Sequence, residues 1–231
     1  MNFFCGVLFL VCSTIMFLGT TAAQQVSTPA PVPVLVENEP HHHLVLKNAF
    51  VEVMRVTVPP GESTLFHTHS HDGAAISLAN NITTQQKPDE AEGPQLPFKL
   101  GGVSVRTLTD GSFTHRVHNV GSSPFDVLDV EFLQRPKQAS EPVAPVAAEN
   151  ANARIYNWIL SPGVTAAQHT HVRSYLIVAV TPMTLKMTAP DGKSLTEEVK
   201  AGEFHWVDAK VTHTLANGGS TEGQIVEIEL K

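Results

Sequence analysis

The feature that most constrains this chain is a short sequence that occurs twice, 102 residues apart. In each copy a Pro-Gly pair is followed by five residues and then by His-x-His. The glycines are Gly61 and Gly163, and the histidine pairs are His67 with His69 and His169 with His171. In a β-strand, residues two apart face the same side at a spacing of about 6.6–6.8 Å. Each pair can therefore converge on one ion, since metal–nitrogen bonds measure about 2.1 Å.

A third histidine completes the pattern in each half. His115 and Asn119 fit His-x-x-x-Asn, and so do His213 and Asn217. The repeat therefore predicts two three-histidine metal sites, each assembled from distant parts of one half. The six predicted metal ligands are His67, His69, His115, His169, His171 and His213. The alternative is a polar interior in which hydrogen bonds satisfy these histidines and no ion binds. We predict that the two asparagines fix a turn or a strand end.

The remaining pattern is typical of an all-β protein. Short apolar segments rich in valine are separated by turns every eight to twelve residues, and residues 51–58 alternate with period two. The chain has 231 residues, enough for two small domains with their own cores. Only 16% of the residues are charged and the formal net charge is -7. These values exclude the usual basic surface of a nucleic-acid-binding protein.

The N-terminal segment, residues 1–23, is predicted to be a cleaved secretory signal peptide. Residues 3–18 are almost continuously apolar, and small residues precede the predicted cleavage near Ala23. An uncleaved anchor is the alternative, because no Lys or Arg precedes the apolar run. Both cysteines, Cys5 and Cys12, lie in this segment, so the mature chain has no disulfide and no thiolate ligand. We expect a secreted or periplasmic protein.

The histidine motifs resemble those of the cupin superfamily, and their duplication resembles a bicupin. The first motif of that family is Gly, five residues, His-x-His and a following Glu, and the second ends in His-x-x-x-Asn. Both copies match these elements, and Gly202 adds the glycine of the second motif to the C-terminal copy. The resemblance implies two tandem double-stranded β-helix (jelly-roll) barrels of the conserved cupin type, each able to hold a divalent metal.

This resemblance sets the predicted domain boundaries. We predict a signal peptide at 1–23, a Pro-rich linker at 24–40, an N-terminal cupin barrel at 41–134, a linker at 135–150 and a C-terminal barrel at 151–231. The three histidines at 41–43 begin the first barrel. They are interpreted as a polar strand start, with a metal role as the alternative.

Both copies depart from the family in the same way. The family's glutamate ligand is replaced by Gly73 in the first copy and by Tyr175 in the second. Some cupin dioxygenases use a three-histidine iron site, so a divalent metal is still implied. Iron is our first choice among iron, manganese, nickel, copper and zinc, all of which accept these ligands. The missing glutamate leaves the reaction type open.

A further histidine, His71, distinguishes the first copy from the second. On a regular strand its Cα lies about 13 Å from that of His67, so it is predicted to line the mouth or carry protons. We expect an exported metal-binding bicupin, dioxygenase-like or an isomerase or lyase, acting on a small organic molecule. The alternative is a non-catalytic small-molecule-binding or storage cupin. The expected partner is a small-molecule ligand, with no nucleic acid and no membrane after signal cleavage, and a homo-oligomer is left open.

Overall fold

A computed structural model of the protein describes Met1, residues 32–134 and residues 141–231. Within these ranges the chain forms nineteen β-strands and one 3-10 turn, and no α-helix. The predicted all-β class is therefore confirmed. None of the helical structure in these ranges is long and apolar enough to cross a membrane. The predicted signal peptide, apart from Met1, lies outside the described residues.

The first half contains ten strands in two sheets. The strands are β1 (Val34–Leu35), β2 (His42–Lys47), β3 (Val51–Val58), β4 (His67–His69), β5 (Gly73–Ser77), β6 (Asn81–Gln86), β7 (Leu96–Phe98), β8 (Val103–Arg106), β9 (Phe113–Asn119) and β10 (Phe125–Phe132). The 3-10 turn, Val36–Asn38, follows β1. One sheet has the order β1-β4-β9-β6-β7 and the other β2-β3-β10-β5-β8.

The second half repeats this arrangement with nine strands. They are β11 (Val146–Glu149), β12 (Ala153–Leu160), β13 (His169–His171), β14 (Tyr175–Ala179), β15 (Met183–Thr188), β16 (Ser194–Val199), β17 (Phe204–Val207), β18 (Val211–Asn217) and β19 (Gly223–Leu230). One sheet has the order β11-β12-β19-β14-β17 and the other β13-β18-β15-β16. The same succession of paired strands in both halves agrees with the repeat in the sequence.

The described parts of both predicted linkers contain a short strand. The predicted 24–40 linker ends in strand β1, which pairs in parallel with β4, and in the buried residue Val36. The predicted 135–150 linker ends in β11, which pairs with β12. Proline-rich composition hides these short edge strands, because their order comes from the neighbouring strand rather than from local propensity.

The two halves share one hydrophobic core. Alternate side chains of β10, such as Leu128 and Val130, pack in the same cluster as Ile155 and Ile228 of the second half. The ring of Phe50 also stacks on Trp206 at 5.7 Å between centroids. Because side chains alternate along a strand, the other face of β10 points into the first barrel. Residue Asp129 lies on that inner face, buried among histidines.

Each His-x-x-x-Asn motif ends in a buried asparagine that holds a turn, as predicted. The Asn119 side-chain amide donates to the carbonyls of Val58 at 2.8 Å and Ser123 at 2.9 Å, and its Oδ1 accepts from Gly121 N at 3.0 Å. Asn217 makes the equivalent three bonds in the second half, to Leu160 O, Thr221 O and Gly219 N. The turn after β9 and the turn after β18 therefore depend on one side chain each.

Substitution of Asn119 by alanine should lower the free energy of unfolding by about 3 kcal/mol, because three buried hydrogen bonds are lost and their partners stay desolvated. Denaturant unfolding measures the difference. Asn80→Ala is the control, since this exposed residue accepts one bond, from Leu100 N. Equal destabilisation by the two substitutions would contradict the role of Asn119.

Candidate metal centres

The first centre forms where β4 pairs with β9. His67 lies directly opposite His115 in the antiparallel ladder, so alternation along β4 places His69 on the same inner face. The ring centroids of His67, His69 and His115 lie 4.6–5.3 Å apart. All three side chains are buried. The structure thus brings the three predicted ligands of the first half together.

Hydrogen bonds on Nδ1 orient the rings of His67 and His69. The Nδ1 of His67 lies 2.9 Å from Leu65 O, and the Nδ1 of His69 lies 2.8 Å from Glu131 Oε1. In the neutral ring each Nδ1–H donates to these oxygens, which leaves the lone pair on Nε2. The His67 Nε2 is buried with no hydrogen-bond partner, and the His69 Nε2 lies 3.2 Å from that of His115.

This environment favours the neutral form of His67 and His115. Burial, and next the neighbouring His42, lower the pKa of His67 to about 3. Burial also holds the pKa of His115 well below its ordinary value. Neutral imidazoles are the form that binds a metal ion. Two ligands at about 2.1 Å from one ion, at a tetrahedral angle, lie about 3.4 Å apart. The partnerless Nε2 of His67 and the 3.2 Å separation of the His69 and His115 Nε2 atoms are therefore compatible with a divalent ion at this place.

A fourth imidazole, which the sequence prediction treated as a polar strand start, joins this group. His42 is only 8% exposed, and its ring centroid lies 4.5 Å from that of His67. Ligand nitrogens of His42, His67 and His69 all lie within 4.8 Å of one another. The neighbouring His43 is exposed, and His41 is half-buried. His42 is the first residue of strand β2, as the strand-start prediction expects. Its buried side chain next to His67 favours, for this one residue, the metal role that the sequence left as the alternative.

A cavity opens in front of the first centre. Its volume is about 680 Å³. The four histidines lie on its wall together with apolar and small polar side chains, among them Phe98, Phe113, Val127, Thr107 and Ser112. This size falls in the range of small-molecule sites. The centre can therefore be reached by a ligand of modest size.

The structure also explains the missing glutamate at Gly73. A Cβ at this position would lie 2.5 Å from Arg106 Nη2 and 2.8 Å from Val130 O, so no larger side chain fits while Arg106 keeps its place. The Arg106 guanidinium contacts Asp129 and Glu131, both at 3.3 Å. These two carboxylates lie on the Nδ1 side of His69. The two carboxylates hold the ring of His69, and the Arg106 guanidinium offsets their negative charge.

His71 lies farther from the centre than its neighbours on the sequence. Its side chain is 41% exposed, and its Nδ1 is 3.0 Å from Glu131 Oε2. The other oxygen of Glu131 contacts His69. Among the described residues that line the cavity, His71 is absent. It therefore contacts the centre through Glu131 and does not form part of the cavity wall.

The second centre forms where β13 pairs with β18, with His169 opposite His213. The three predicted ligands His169, His171 and His213 have ring centroids 4.5–5.4 Å apart. A carboxylate joins them: Glu227 oxygens lie 3.6, 3.3 and 3.5 Å from the Nε2 atoms of the three histidines. All four residues are buried. The glutamate that is missing at Tyr175 is thus replaced by one from β19.

These four ligands converge without satisfying one another. The Nε2 of each histidine and Oε1 of Glu227 are buried without a hydrogen-bond partner. Unpaired buried polar atoms cost free energy, so native proteins rarely contain a cluster of them. Their separations of 3.3–3.6 Å match those of ligands around one ion, about 3.4 Å. The second group therefore fits a divalent metal with three nitrogens and one oxygen.

Buried carboxylates and imidazoles shift one another's pKa values in the second centre. Burial opposes protonation of His171, but Glu227 and Glu229 outweigh it and raise the pKa of His171 to about 9. Burial alone would raise the pKa of Glu227, yet contacts with His169 and His171 lower it to about 2. Burial lowers the pKa of His213 to about 4. A bound divalent cation would take the place of the proton that His171 carries.

Aromatic side chains close the second centre. Trp158 stacks on His169 at 5.0 Å and donates its indole N–H to Glu227 at 2.7 Å. Tyr175 stacks on His171 at 4.0 Å. The 180 Å³ cavity of this half is lined by other residues, including Leu185, and by none of the three histidines. The second centre is therefore closed where the first is open.

Two residues of these centres, His42 and Glu227, lie outside the motifs that predicted the sites. A signal for the carboxylates was present, because β10 and β19 each carry an acidic pair two residues apart inside an apolar strand. The pairs are Asp129 with Glu131 and Glu227 with Glu229, 98 residues apart. No comparable repeat indicated His42.

Comparison with known proteins agrees with this fold. No protein-family model matches the chain. Over 89 residues it is 32% identical to the beta-alanine degradation protein BauB of Pseudomonas aeruginosa, a match that covers 38% of this chain and 93% of BauB. AerE from Microcystis aeruginosa has a similar structure, with a TM-score of 0.60 and 14% identity over 87% of this chain and 98% of AerE.

Two further solved structures share this fold. A cupin 2 conserved barrel domain protein from Leptotrichia buccalis has a TM-score of 0.51 at 12% identity and covers 82% of this chain and 88% of its own. Salicylate 1,2-dioxygenase from Pseudoaminobacter salicylatoxidans has a TM-score of 0.57 at 12% identity and covers 85% and 76%. The duplicated jelly-roll sheets with buried histidine groups define a bicupin-like protein. The chain belongs to the same family as BauB, of which it covers 93% at 32% identity, and its fold is that of the cupin-domain proteins.

Proposed function

We propose that the protein is an exported, metal-dependent cupin that acts as a dioxygenase-like enzyme on a small organic molecule. The observation that carries this proposal is the cavity of about 680 Å³ on whose wall His67, His69 and His115 converge. When bound there, a divalent ion, iron by preference, would supply the redox or Lewis-acid chemistry of such enzymes. The chain itself would supply the ligands and a partly apolar chamber that limits access of water.

The two halves would then have different roles. Catalytic metal sites keep a position open for substrate, whereas structural sites are closed by protein ligands. The first centre faces a cavity, and the second is covered by Trp158 and Tyr175. We assign the reaction to the first half and a stabilising ion to the second.

Two comparisons support an enzyme in preference to a storage protein. BauB is named for the degradation of a small molecule, beta-alanine. Salicylate 1,2-dioxygenase shows that the shared fold can carry a dioxygenase. A binding or storage cupin remains the second candidate, and it is favoured by Gly73, where many cupin enzymes have a carboxylate that takes part in the reaction.

Oxygen consumption separates the two candidates. The purified chain, loaded with Fe²⁺, is offered a panel of small carboxylic acids and diketones while dissolved oxygen is recorded. Uptake that depends on both iron and substrate is expected. Tight binding of a panel compound without uptake would favour the binding protein instead. Loss of residues 1–23 from protein recovered outside the producing cell tests the proposed export.

In this proposal His71 affects turnover through Glu131 and does not hold the ion. His71→Ala should leave the metal content unchanged and lower turnover by about tenfold or more, because the Glu131 carboxylate loses a partner that helps to fix His69. The comparison variant is His205→Ala, which removes an exposed histidine near Glu197 in the second half. A His71→Ala protein with the parent's turnover would exclude the role.

A further inference from the structure

We infer that His42 is a fourth imidazole ligand of the first centre, held in place by Glu39. This inference rests on the proposed function, because it concerns the ion of the same site. In this role His42 replaces the glutamate ligand that is absent at Gly73. It gives the first centre a fourth protein ligand, as Glu227 does for the second centre.

The position of the His42 ring supports this role. Its centroid lies 4.5 Å from that of His67 and 6.1 Å from that of His69. It lines the same cavity as His67, His69 and His115. Together with His67 and His69 it forms a group whose ligand nitrogens all lie within 4.8 Å of one another. A ring at this spacing can bind the same ion with a small side-chain rotation.

The orientation of the ring is fixed by a buried carboxylate. Nδ1 of His42 lies 2.6 Å from Glu39 Oε2, and the Glu39 side chain is fully buried. In the neutral ring the Nδ1–H donates to Glu39, which leaves the lone pair on Nε2. A histidine held by a carboxylate on its second nitrogen is the usual arrangement at metal sites. His69 and Glu131 repeat it at 2.8 Å.

Glu39 also joins the N-terminal segment to the strand that carries His67. Its Oε1 accepts a hydrogen bond from Leu65 N at 3.0 Å, and Leu65 O accepts one from His67 Nδ1 at 2.9 Å. Strand β1 pairs with β4 in parallel, with Val34 beside His67. Residues 34–42 are therefore fixed against the ligand strand, so the position of His42 is set by the same contacts that set His67.

The carboxylates of β10 contact His69 on its other nitrogen, Nδ1. Asp129 is the counterpart of Glu227 in the ladder, because Ala75 and Ile177 are the respective partners of these residues on β5 and β14. In the first half, however, this carboxylate is one methylene shorter and lies 3.6 Å from Nδ1 of His69, paired with Arg106. It is turned away from Nε2. We therefore assign the fourth ligand of the proposed ion in the first centre to His42.

Metal binding to the purified chain tests the inference. The second centre is disabled by His169→Ala/His171→Ala, and Co²⁺ is titrated into the metal-free protein, with X-ray absorption used to count imidazole ligands. His42→Ala should weaken Co²⁺ binding by about 100-fold and lower the imidazole count from four to three. Glu39→Gln should weaken binding by about tenfold with four imidazoles retained. His43→Ala, which removes the exposed neighbour, should change neither.

Two further arms keep the result interpretable. His42→Gln retains a donor for Glu39 without an imidazole, so it should fold like the parent and still bind Co²⁺ weakly. Added imidazole should restore affinity in His42→Ala, because the cavity admits it to the vacated place. Parent-like affinity and an unchanged imidazole count in both His42 variants would overturn the inference about His42. If His67→Ala loses Co²⁺ binding in the same experiment, the proposed metal site itself still stands. Absence of Co²⁺ from the first centre of the parent would instead remove the proposed function.

Discussion

Glutamine in place of Glu227 is expected to remove about one metal ion per chain and to lower the stability of the whole protein. Glu227 supplies the only carboxylate facing the three Nε2 atoms among the described residues of the second centre. The neutral amide is a poor ligand for a divalent ion, and it also removes the charge opposite His171. An ion present at 100 times its Kd contributes about 2.7 kcal/mol to the free energy of unfolding, and this contribution should be lost.

The measurement combines metal analysis with thermal unfolding at fixed metal concentration. Glu229→Gln is the matched control, because Glu229 contacts Nδ1 of His171 at 3.3 Å and accepts from the Tyr156 hydroxyl at 3.0 Å. It supports a ligand without facing the ion, so its replacement should weaken binding by about tenfold while the ion is retained under saturating metal. Equal metal content in Glu227→Gln and the parent would show that Glu227 is not a required ligand of a second ion.

Alanine in place of His67 is expected to empty the first centre and abolish turnover. His67 lies opposite His115 in the ladder, and its Nε2 is buried without a partner. The substitution removes a ligand nitrogen from the first centre and leaves an empty space beside the His42 ring. We expect a loss of about one ion per chain and at least a hundredfold lower turnover, because the group loses the ring that contacts His42, His69 and His115.

The control for this substitution is His118→Ala on the same strand. His118 points outward and contacts Glu92 at 2.8 Å, so the variant should keep both its ions and its activity. Metal content is read together with oxygen consumption. A His67→Ala protein that retains both ions would contradict the assignment of the first centre, and fewer than about 0.1 ion per chain in the metal-supplemented parent would contradict both centres.

The sequence predicted those parts of the sites that depend on local spacing. His-x-His places two rings on one face of a strand whatever the partner strand is, and the repeat identified the third histidine of each group. The asparagine turns were predictable for the same reason. In contrast, Glu227 joins its centre because β19 lies beside β14 in the sheet, a pairing that spacing along the chain does not encode.

His42 was missed for a different physical reason. Three adjacent histidines give no period, so the sequence does not say which of them points inward. The inward orientation of His42 depends on Glu39, whose carboxylate contacts the His42 ring, and on the pairing of β1 with β4. Burial alone would raise the pKa of Glu39, yet its hydrogen bonds with His42 and Leu65 hold it below the ordinary value. A buried, ionised glutamate of this kind is seen only once the chain is folded.

The hydrophobic cluster that contains Leu128 of one half and Ile228 of the other has a consequence for how the two centres depend on each other. A boundary built from interlocking apolar side chains of both halves does not separate without exposing the interior of each. Local opening around the first cavity should therefore become more frequent when the second centre is empty, which hydrogen exchange would record. The ion that takes no part in chemistry would then govern how long the reactive half stays assembled.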